Sequence, residues 1–458
     1  MKKHIIKTPV KWRLTIYMLV HVFLFTGLTS CKKYLDAKPD QSITTPSTME
    51  DLEGILNGYG FINARYPSAA ETASDDFYLT TADFNNLIDI QRSFYSWQKA
   101  PNFVGDYSGP YGSIEYVNII LETLPKIAGD KERKDVIQGN CLFVRASYHY
   151  ALAQLFAKPY AKASAATDLG IALRLTSDIT VKPVRSTVAD TYSSVIADLV
   201  KSKSLLPANP GVKYKAGKTA VYGMLARVYL SMSDYKNAGL YADSALSLFN
   251  NLINYNTINS AAAIPFTQFN DEVIYDCRAP GPQSLSQSRA KVDSVLYTSY
   301  AANDLRKVVF FKNNANGTKA FKGNYTGIAG ATLFTGIATN ELYLIKAEAA
   351  ARNDDADKAL TALNTLLKNR YKTGTYIPYD TIDADELLDL ILTERRKELL
   401  FRTLRWTDLR RLNMDPKRAK TLTRNVAGTV YTLEPNGLRY VFQIDQDAVN
   451  ISGLQQNP

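Results

Sequence analysis

Ala226-Arg227-Val228-Tyr229-Leu230-Ser231-Met232-Ser233-Asp234-Tyr235-Lys236-Asn237-Ala238-Gly239-Leu240-Tyr241-Ala242-Asp243-Ser244-Ala245 places small residues at Ala226, Ala238 and Ala245, an aromatic at Tyr229, and a polar break at Ser233-Asp234-Tyr235. Within 219–246 this spacing predicts two antiparallel helices that approach closely because alanines face one another across the pair. The same arrangement recurs from Leu342 to Tyr371, with Ala347, Ala350 and Ala359 in equivalent places around the turn Asn353-Asp354-Asp355. Ala238 and Ala359 lie 121 residues apart. A contiguous array of such units repeats at about 34 residues, so another segment is inserted between these two.

The pattern is tetratricopeptide-like, and it extends in both directions. In 188–206, Val188, Tyr192, Val195, Ile196, Leu199 and Leu205-Leu206 form one apolar stripe that Pro207 and Pro210-Gly211 stop. Segment 139–157, with Arg145-Ala146-Ser147-Tyr148-His149-Tyr150-Ala151-Leu152, reads as the first helix of a third, degenerate unit whose partner is 188–206. No long run alternates with period two, so the expected class is all-α. Residues 58–116 and 255–335 are rich in Gly, Asn, Ser, Pro and Tyr and read as long loops with short helices. Loops of that length are usually functional.

At the N-terminus, Lys2, Lys3, Lys7, Lys11 and Arg13 precede a short apolar run that ends Leu28-Thr29-Ser30-Cys31. This reads as a secretory signal with what looks like a bacterial lipobox, in which Cys31 is expected to be acylated and to become the first mature residue. The run is too short and too interrupted for a spanning helix, so the mature chain is expected to be anchored to a membrane and not to cross it. The expected organisation is a signal over 1–30, a flexible tether over 31–45 and one domain over 46–458. Of the remaining cysteines, Cys141 and Cys277 are either paired or simply buried.

Composition narrows the chemistry. With 46% apolar and 21% charged residues among 458, the chain is not disordered. Its net charge of +10 suggests nucleic acid, but five of those charges lie before residue 31. The basic C-terminal stretch from Arg395 to Arg424 is interleaved with Leu and Glu, which reads as a solvated face with internal salt bridges. His149 is the one histidine beyond residue 30, so a histidine-based triad or metal centre has too few members. No cofactor or metal is expected. Gly327-Ile328-Ala329-Gly330 reads as a turn, and Asn353-Asp354-Asp355-Ala356-Asp357 as a capped helix–helix turn in place of a calcium loop.

Residues 386–412 carry Glu394-Arg395-Arg396-Lys397-Glu398-Leu399 followed by Arg405-Trp406-Thr407-Asp408-Leu409-Arg410-Arg411. The chain here resembles the SusD/RagB family of outer-membrane lipoproteins. The resemblance continues in Tyr34-Leu35-Asp36 after the lipobox, Asp75-Asp76-Phe77-Tyr78, Tyr95-Ser96-Trp97, Phe156-Ala157-Lys158-Pro159-Tyr160, Asp304-Leu305-Arg306, Glu341-Leu342-Tyr343 and the tail Gln455-Gln456-Asn457-Pro458. Lys32-Lys33 stand where the family often has acidic residues, and Gln443-Ile444-Asp445 replaces a Pro-Ile-Pro. The resemblance implies one SusD-like domain: a loop-rich ligand region at about 58–116, repeat-like pairs at about 139–252 and 339–371, an insertion at about 255–335, and C-terminal helices and tail over 384–458. It also implies a non-enzymatic lipoprotein facing the cell exterior, which captures an oligosaccharide or other nutrient and passes it to a SusC-like TonB-dependent transporter. The rival readings are a tetratricopeptide scaffold for outer-membrane protein assembly and a glycan-degrading enzyme.

Sugar rings present apolar C–H faces that Tyr and Trp cover, while neighbouring carboxylates and amides bind the hydroxyls. Trp97, with Tyr95, Tyr78, Asp75, Asp76, Tyr107 and Tyr111, meets that specification, and Trp97 is the first choice for stacking. Glu394, Arg405, Trp406 and Asp408 are expected to form an inter-helix ion network in preference to a catalytic carboxylate pair.

Overall fold

Asp130, Thr187, Asp234 and Asp355 each accept a backbone N–H three residues on, and each begins a helix of the scaffold. The structure, a computed structural model, describes residues 46–100 and 105–458. The signal, Cys31 and the 31–45 tether lie outside the described residues. Ser47–Pro458 gather into one compact unit. Its main helices are α1 (Met49–Leu56), α2 (Gly105–Thr123), α3 (Lys131–Phe156), α4 (Val188–Leu205), α5 (Lys218–Ser231), α6 (Tyr235–Leu248), α7 (Thr339–Arg352), α8 (Ala356–Lys368), α9 (Ala384–Glu398) and α10 (Arg405–Leu412).

From α2 to α8 each helix packs on the next, and α9 returns against α7. The two alanine-rich pairs, far apart in sequence, are therefore neighbours: α6 lies on α7. Ala226, Ala238, Ala245, Ala347 and Ala359 are all fully buried at these seams. The turns of the two pairs match, since Ser233 and Asp354 both take a left-handed φ, +58° and +59°. The degenerate unit is also present as α3 on α4. There Gly139 permits the approach: a Cβ on it would sit 2.7 Å from Leu206 Cγ, and its carbonyl accepts from Ser202 Oγ at 2.7 Å. On α8, Leu360, Leu363, Leu366 and Leu367 face inward, each burial contributing about 1.5–3 kcal/mol.

The segment between α6 and α7 leaves the array and folds back against the N-terminal loops, where Phe77–Tyr78 pairs antiparallel with Lys291–Val292. Within the segment itself Val273–Tyr275 pairs with Ile337–Ala338. Tyr66 N–H donates to Arg278 O, and Arg278 N–H to Asn63 O. The two loop-rich segments are thus stitched together. One part of the first is not a loop: α2 runs for 19 residues with Pro110 inside it.

A buried ion network locks the inserted segment to the array. Arg306 Nη2 meets Asp304 at 2.7 Å and Glu394 at 2.5 Å, and Nη1 meets Glu398 at 3.2 Å. Arg370 bridges Glu398 at 2.8 Å and Glu272 at 2.7 Å, and Lys397 meets Glu394 at 2.6 Å. Arg402 donates to Asn340 Oδ1 and lies 3.9 Å from the centre of the Tyr325 ring. Four cations, Arg306, Arg370, Lys397 and Arg402, thus stand among four carboxylates, Glu272, Asp304, Glu394 and Glu398. Burial alone would raise the Glu398 carboxyl, but Arg370 and Arg306 hold it at about 2.

Candidate functional site

Asp75 and Asp76, expected to bind a ligand, are ion-paired to the C-terminal motif. Asp75 is gripped by Arg405 Nε at 2.6 Å and Nη2 at 3.0 Å and by Lys420 Nζ at 2.8 Å, while Asp76 accepts from Arg396 Nε at 2.8 Å. Burial opposes ionisation of Asp75, yet Arg405, Arg396 and Lys420 hold it well below the ordinary carboxylate range. Both aspartates fasten the N-terminal loops to α9 and α10, as partners of the C-terminal motif. The expected network of Glu394, Arg405, Trp406 and Asp408 therefore divides. Glu394 joins Arg306, Arg405 joins Asp75, and Asp408 joins Arg395 at 2.8 Å and Arg411 at 2.9 Å. Trp406 stacks on Phe442 with centroids 5.5 Å apart.

Trp97 and Tyr95 are buried as well, with 4% and 1% of their surface exposed. The indole N–H donates to Ala73 O at 3.0 Å, and the Tyr95 hydroxyl accepts from Leu79 N–H at 2.8 Å. One face of each ring is covered by the chain's own Arg424, whose guanidinium carbon lies 3.7 Å from the Tyr95 ring centre and 4.6 Å from that of Trp97. Arg424 comes from a hairpin, β1 (Leu422–Val426) and β2 (Thr429–Leu433), whose five-residue strands are too short to show as a long period-two run. Trp97, expected to stack on a ligand, is packed in the core with Arg424 over its ring and has almost no exposed face. Tyr78 remains exposed.

Tyr107 and Tyr111 do line a depression, of 390 Å³, together with Glu115 and Arg174. Their ring centroids are 4.9 Å apart, and the Tyr111 hydroxyl donates to Ala172 O at 2.8 Å. On the other side of the first turns of α2 is an open cavity of 510 Å³ where the two loop-rich segments meet. Arg65, Tyr66, Gln91 and Asp106 come from the first segment, and Pro282 and Gln283 from the second. The Gln91 carboxamide oxygen accepts from Thr72 Oγ1 at 3.3 Å and Ser284 Oγ at 3.1 Å, so its NH₂ is the end left to donate. The Arg65 guanidinium lies 4.9 Å from the Phe61 ring centre. Arg65, Gln91 and Gln283 escape sequence reasoning because no motif marks them; the signal that located the region is loop composition alone.

Asp106 forms the floor of this cavity. One carboxylate oxygen accepts the backbone N–H groups of Ser68, at 2.8 Å, and of Ala69. Burial pushes its carboxyl up to about 7, against the partial restraint of those two bonds. A carboxyl that ionises at 3.8 when unfolded and at about 7 when folded carries an extra proton in the folded state between those values. Its contribution is fully present below about pH 4 and is lost as pH rises through about 7. Asp106→Asn, which keeps an accepting oxygen, is expected to stabilise the protein at about pH 8 by on the order of 2–4 kcal/mol and to change little at about pH 4, as thermal melts at the two pH values would show.

Other titratable groups have structural surroundings. His149 is buried, its Nε2 accepts from Arg174 N–H at 3.3 Å, and burial followed by the nearby Arg145 drives it down to about 3. Cys141 and Cys277 are buried free thiols. Among the described residues no group of three or more His, Cys, Asp or Glu is placed to hold a metal ion, and no helix is long and apolar enough to cross a membrane. The basic C-terminal stretch is not the solvated face expected of it: Arg395, Lys397, Arg402, Arg410, Arg411 and Arg424 are all buried.

Comparison with known proteins agrees with this architecture. Residues 33–230 match a family described as starch-binding and associating with the outer membrane, and residues 308–458 match the SusD family. The SusD-like protein P2 of Formosa agariphila is 23% identical, over 87% of this chain and 91% of that protein. A SusD superfamily protein of Bacteroides thetaiotaomicron is 21% identical, with a TM-score of 0.75 over 90% of this chain and 100% of that one. A SusD-like carbohydrate binding protein of Bacteroides vulgatus is 20% identical, with a TM-score of 0.68 over 89% and 97% of the two chains. With residues 33–230 matched to a SusD-like family and residues 308–458 to the SusD family, the chain belongs to the SusD/RagB family.

Proposed function

We propose that this chain is a carbohydrate-binding lipoprotein, held at the outer membrane by a lipid on Cys31 and facing the cell exterior. It captures an oligosaccharide in the cavity between the two loop segments and passes it to a SusC-like TonB-dependent transporter. The observation that carries the reading is the convergence of both loop segments on one open 510 Å³ cavity whose walls offer Arg65, Gln91 and Gln283 beside Tyr66 and Pro282. Such a wall suits a sugar, with ring and proline surfaces against C–H faces and fixed donors to hydroxyls. The one matched family described as starch-binding and associating with the outer membrane supports the ligand class and the location. A binding role in place of catalysis is supported by the ion-paired state of the motif carboxylates Glu394, Glu398 and Asp408. The scaffold reading loses ground because the helix array is interrupted by a long segment that itself walls the cavity.

Calorimetry with maltooligosaccharides and a panel of other soluble oligosaccharides tests the proposal. Arg65→Ala and Gln91→Ala are each expected to weaken the bound glycan about tenfold or more. Equal binding by both variants, with loss in Tyr107→Ala or Tyr111→Ala, would move the site to the neighbouring depression. Cleavage of the oligosaccharide during incubation would overturn the binding role, and failure of a membrane-extracted sample to bring down a β-barrel transporter would overturn the partner.

A further inference from the structure

Of the formal charge of +10, five units belong to residues 1–30 and the other five to 289–322, which hold seven Lys and Arg against two Asp; the rest of the chain is balanced. Within 289–322, Lys291 is paired with Asp83 and Arg306 sits in the buried ion network. Arg289, Lys307, Lys312, Lys319 and Lys322 meet no carboxylate among the described residues. This surplus adjoins the loop cavity. Gln283 in the cavity wall opens a turn on which two of the cations are fixed. Arg289 Nη1 lies 3.5 Å from Gln283 O and from Ser286 Oγ, and Gln287 Oε1 accepts from Lys312 Nζ at 2.7 Å. Gln287 Nε2 in turn donates to Phe321 O at 2.9 Å, which holds the turn to the hairpin of Phe311–Asn313 and Lys319–Phe321. Lys312 is exposed and Arg289 half-buried. On the opposite segment Arg65, also half-buried, lines the cavity itself. Its guanidinium lies along α2, where a Cβ on Gly112 would sit 2.7 Å from Nη1, and meets the Phe61 ring but no carboxylate among the described residues. The nearby carboxyls do not cancel these charges. Asp83 and Asp89 are spent on Lys291 and Arg92, and Asp106 in the cavity floor is kept protonated by burial up to about pH 7.

A cleft lined by one sign of charge concentrates ligands of the other, and a guanidinium pairs carboxylate or sulfate oxygens through two parallel N–H donors. Each of these cations alone adds little in water, so a single small anion would be held weakly; a chain that meets several in turn gains by their linkage. We propose that the glycan taken by the loop cavity is acidic, a chain whose anionic groups meet Arg65 inside the cavity and Arg289 and Lys312 along the turn that leads out of it. This rests on the loop-cavity reading above; the anionic preference rests on the placement of the unpaired cations. A uronate carboxylate and a sulfate ester present the same acceptor oxygens.

Calorimetry on the full chain at about pH 6 with oligogalacturonate, a sulfated galactose oligosaccharide and a neutral galactose oligosaccharide of equal length tests this. One of the acidic probes is expected to bind about tenfold tighter than the neutral one or better, and the two acidic arms identify which anion is preferred. Its affinity is expected to fall about fivefold or more when salt is raised from about 50 to about 300 mM, because the contacts are solvent-screened. The double variant Arg289→Gln/Lys312→Gln, outside the buried ion network, is expected to weaken that probe about tenfold at unchanged melting temperature. Equal affinity for acidic and neutral probes, lost for both in Gln91→Ala, overturns the acidic preference and leaves the loop-cavity reading standing. An acidic probe that the double variant binds as tightly as the unaltered protein, or that Arg65→Ala and Gln91→Ala both leave unaffected, overturns the joint site. Retention on vesicles of anionic lipid, with neither acidic probe bound, would assign the basic turn to a membrane and overturn the proposal.

Discussion

Arg306→Ala is expected to destabilise the protein by about 3–5 kcal/mol or more, the usual result of removing one member of a buried ion cluster. The reason is geometric. Asp304, Glu394 and Glu398 all contact this one guanidinium, at 2.7, 2.5 and 3.2 Å, and all are buried. With Arg306 present, four cations balance four carboxylates; without it the interior holds one uncompensated negative charge. Arg306→Lys restores the charge but not the fork, and is expected to recover part of the loss. The pH dependence follows from Glu398, whose carboxyl the arginines hold at about 2. A depressed carboxyl adds stability above about pH 4.5 that disappears as pH falls toward 2. In Arg306→Ala the Glu398 carboxyl, with one of its two arginines gone, takes up a proton more readily, so the gap between variant and unaltered protein narrows between about pH 7 and pH 4.5. Urea unfolding at both values measures this, and equal stability at pH 7 would show that the cluster does not hold the inserted segment.

The scaffold was largely legible because its determinants are local. Alanines spaced for close helix contact, a capping aspartate and a tight turn occur within one stretch of chain, and Ser233-Asp234 and Asp354-Asp355 repeat the turn. Even the inserted segment could be inferred from the interval between the two pairs. Two elements were not legible. Pro110 and three nearby glycines suggest a loop, but tertiary packing against α3 carries a helix through them. The hairpin of β1 and β2 turns at Ala427-Gly428, with φ of +54° and +81°, and lacks the Asn-Gly or Asp-Gly signal that normally marks such a turn.

The site was less legible because its chemistry depends on contacts remote in sequence. Asp75 and Asp76 beside aromatics look like sugar ligands until Arg396, Arg405 and Lys420, more than 300 residues away, close on them. Local composition cannot distinguish a carboxylate waiting for a hydroxyl from one waiting for a guanidinium. Conversely, Arg65, Gln91 and Gln283 acquire meaning only when the Phe77–Tyr78 ladder and the Tyr66–Arg278–Asn63 backbone bonds bring the two loop segments together.

Trp97→Ala separates the two roles an aromatic can play in such a protein. If Trp97 stacked on a ligand, the variant would keep its stability and lose affinity. The structure leads to the opposite expectation: a loss of about 3–5 kcal/mol in stability with ligand affinity nearly unchanged in the folded protein. The ring is 4% exposed, its N–H satisfies Ala73 O at 3.0 Å, and one face carries Arg424, which would be left with a cavity beside it. Backbone geometry supplies a second discriminator. Trp97 takes φ of +56°, a conformation that costs a side chain about 1 kcal/mol and costs glycine little. Trp97→Gly should therefore lose the same contacts yet be no less stable than Trp97→Ala, the reverse of the order found in ordinary extended or helical backbone. Denaturant midpoints for the two variants, with calorimetry at a temperature where both remain folded, decide the matter. An unchanged midpoint together with lost glycan binding would return Trp97 to the ligand site and require Arg424 to move aside when the sugar binds.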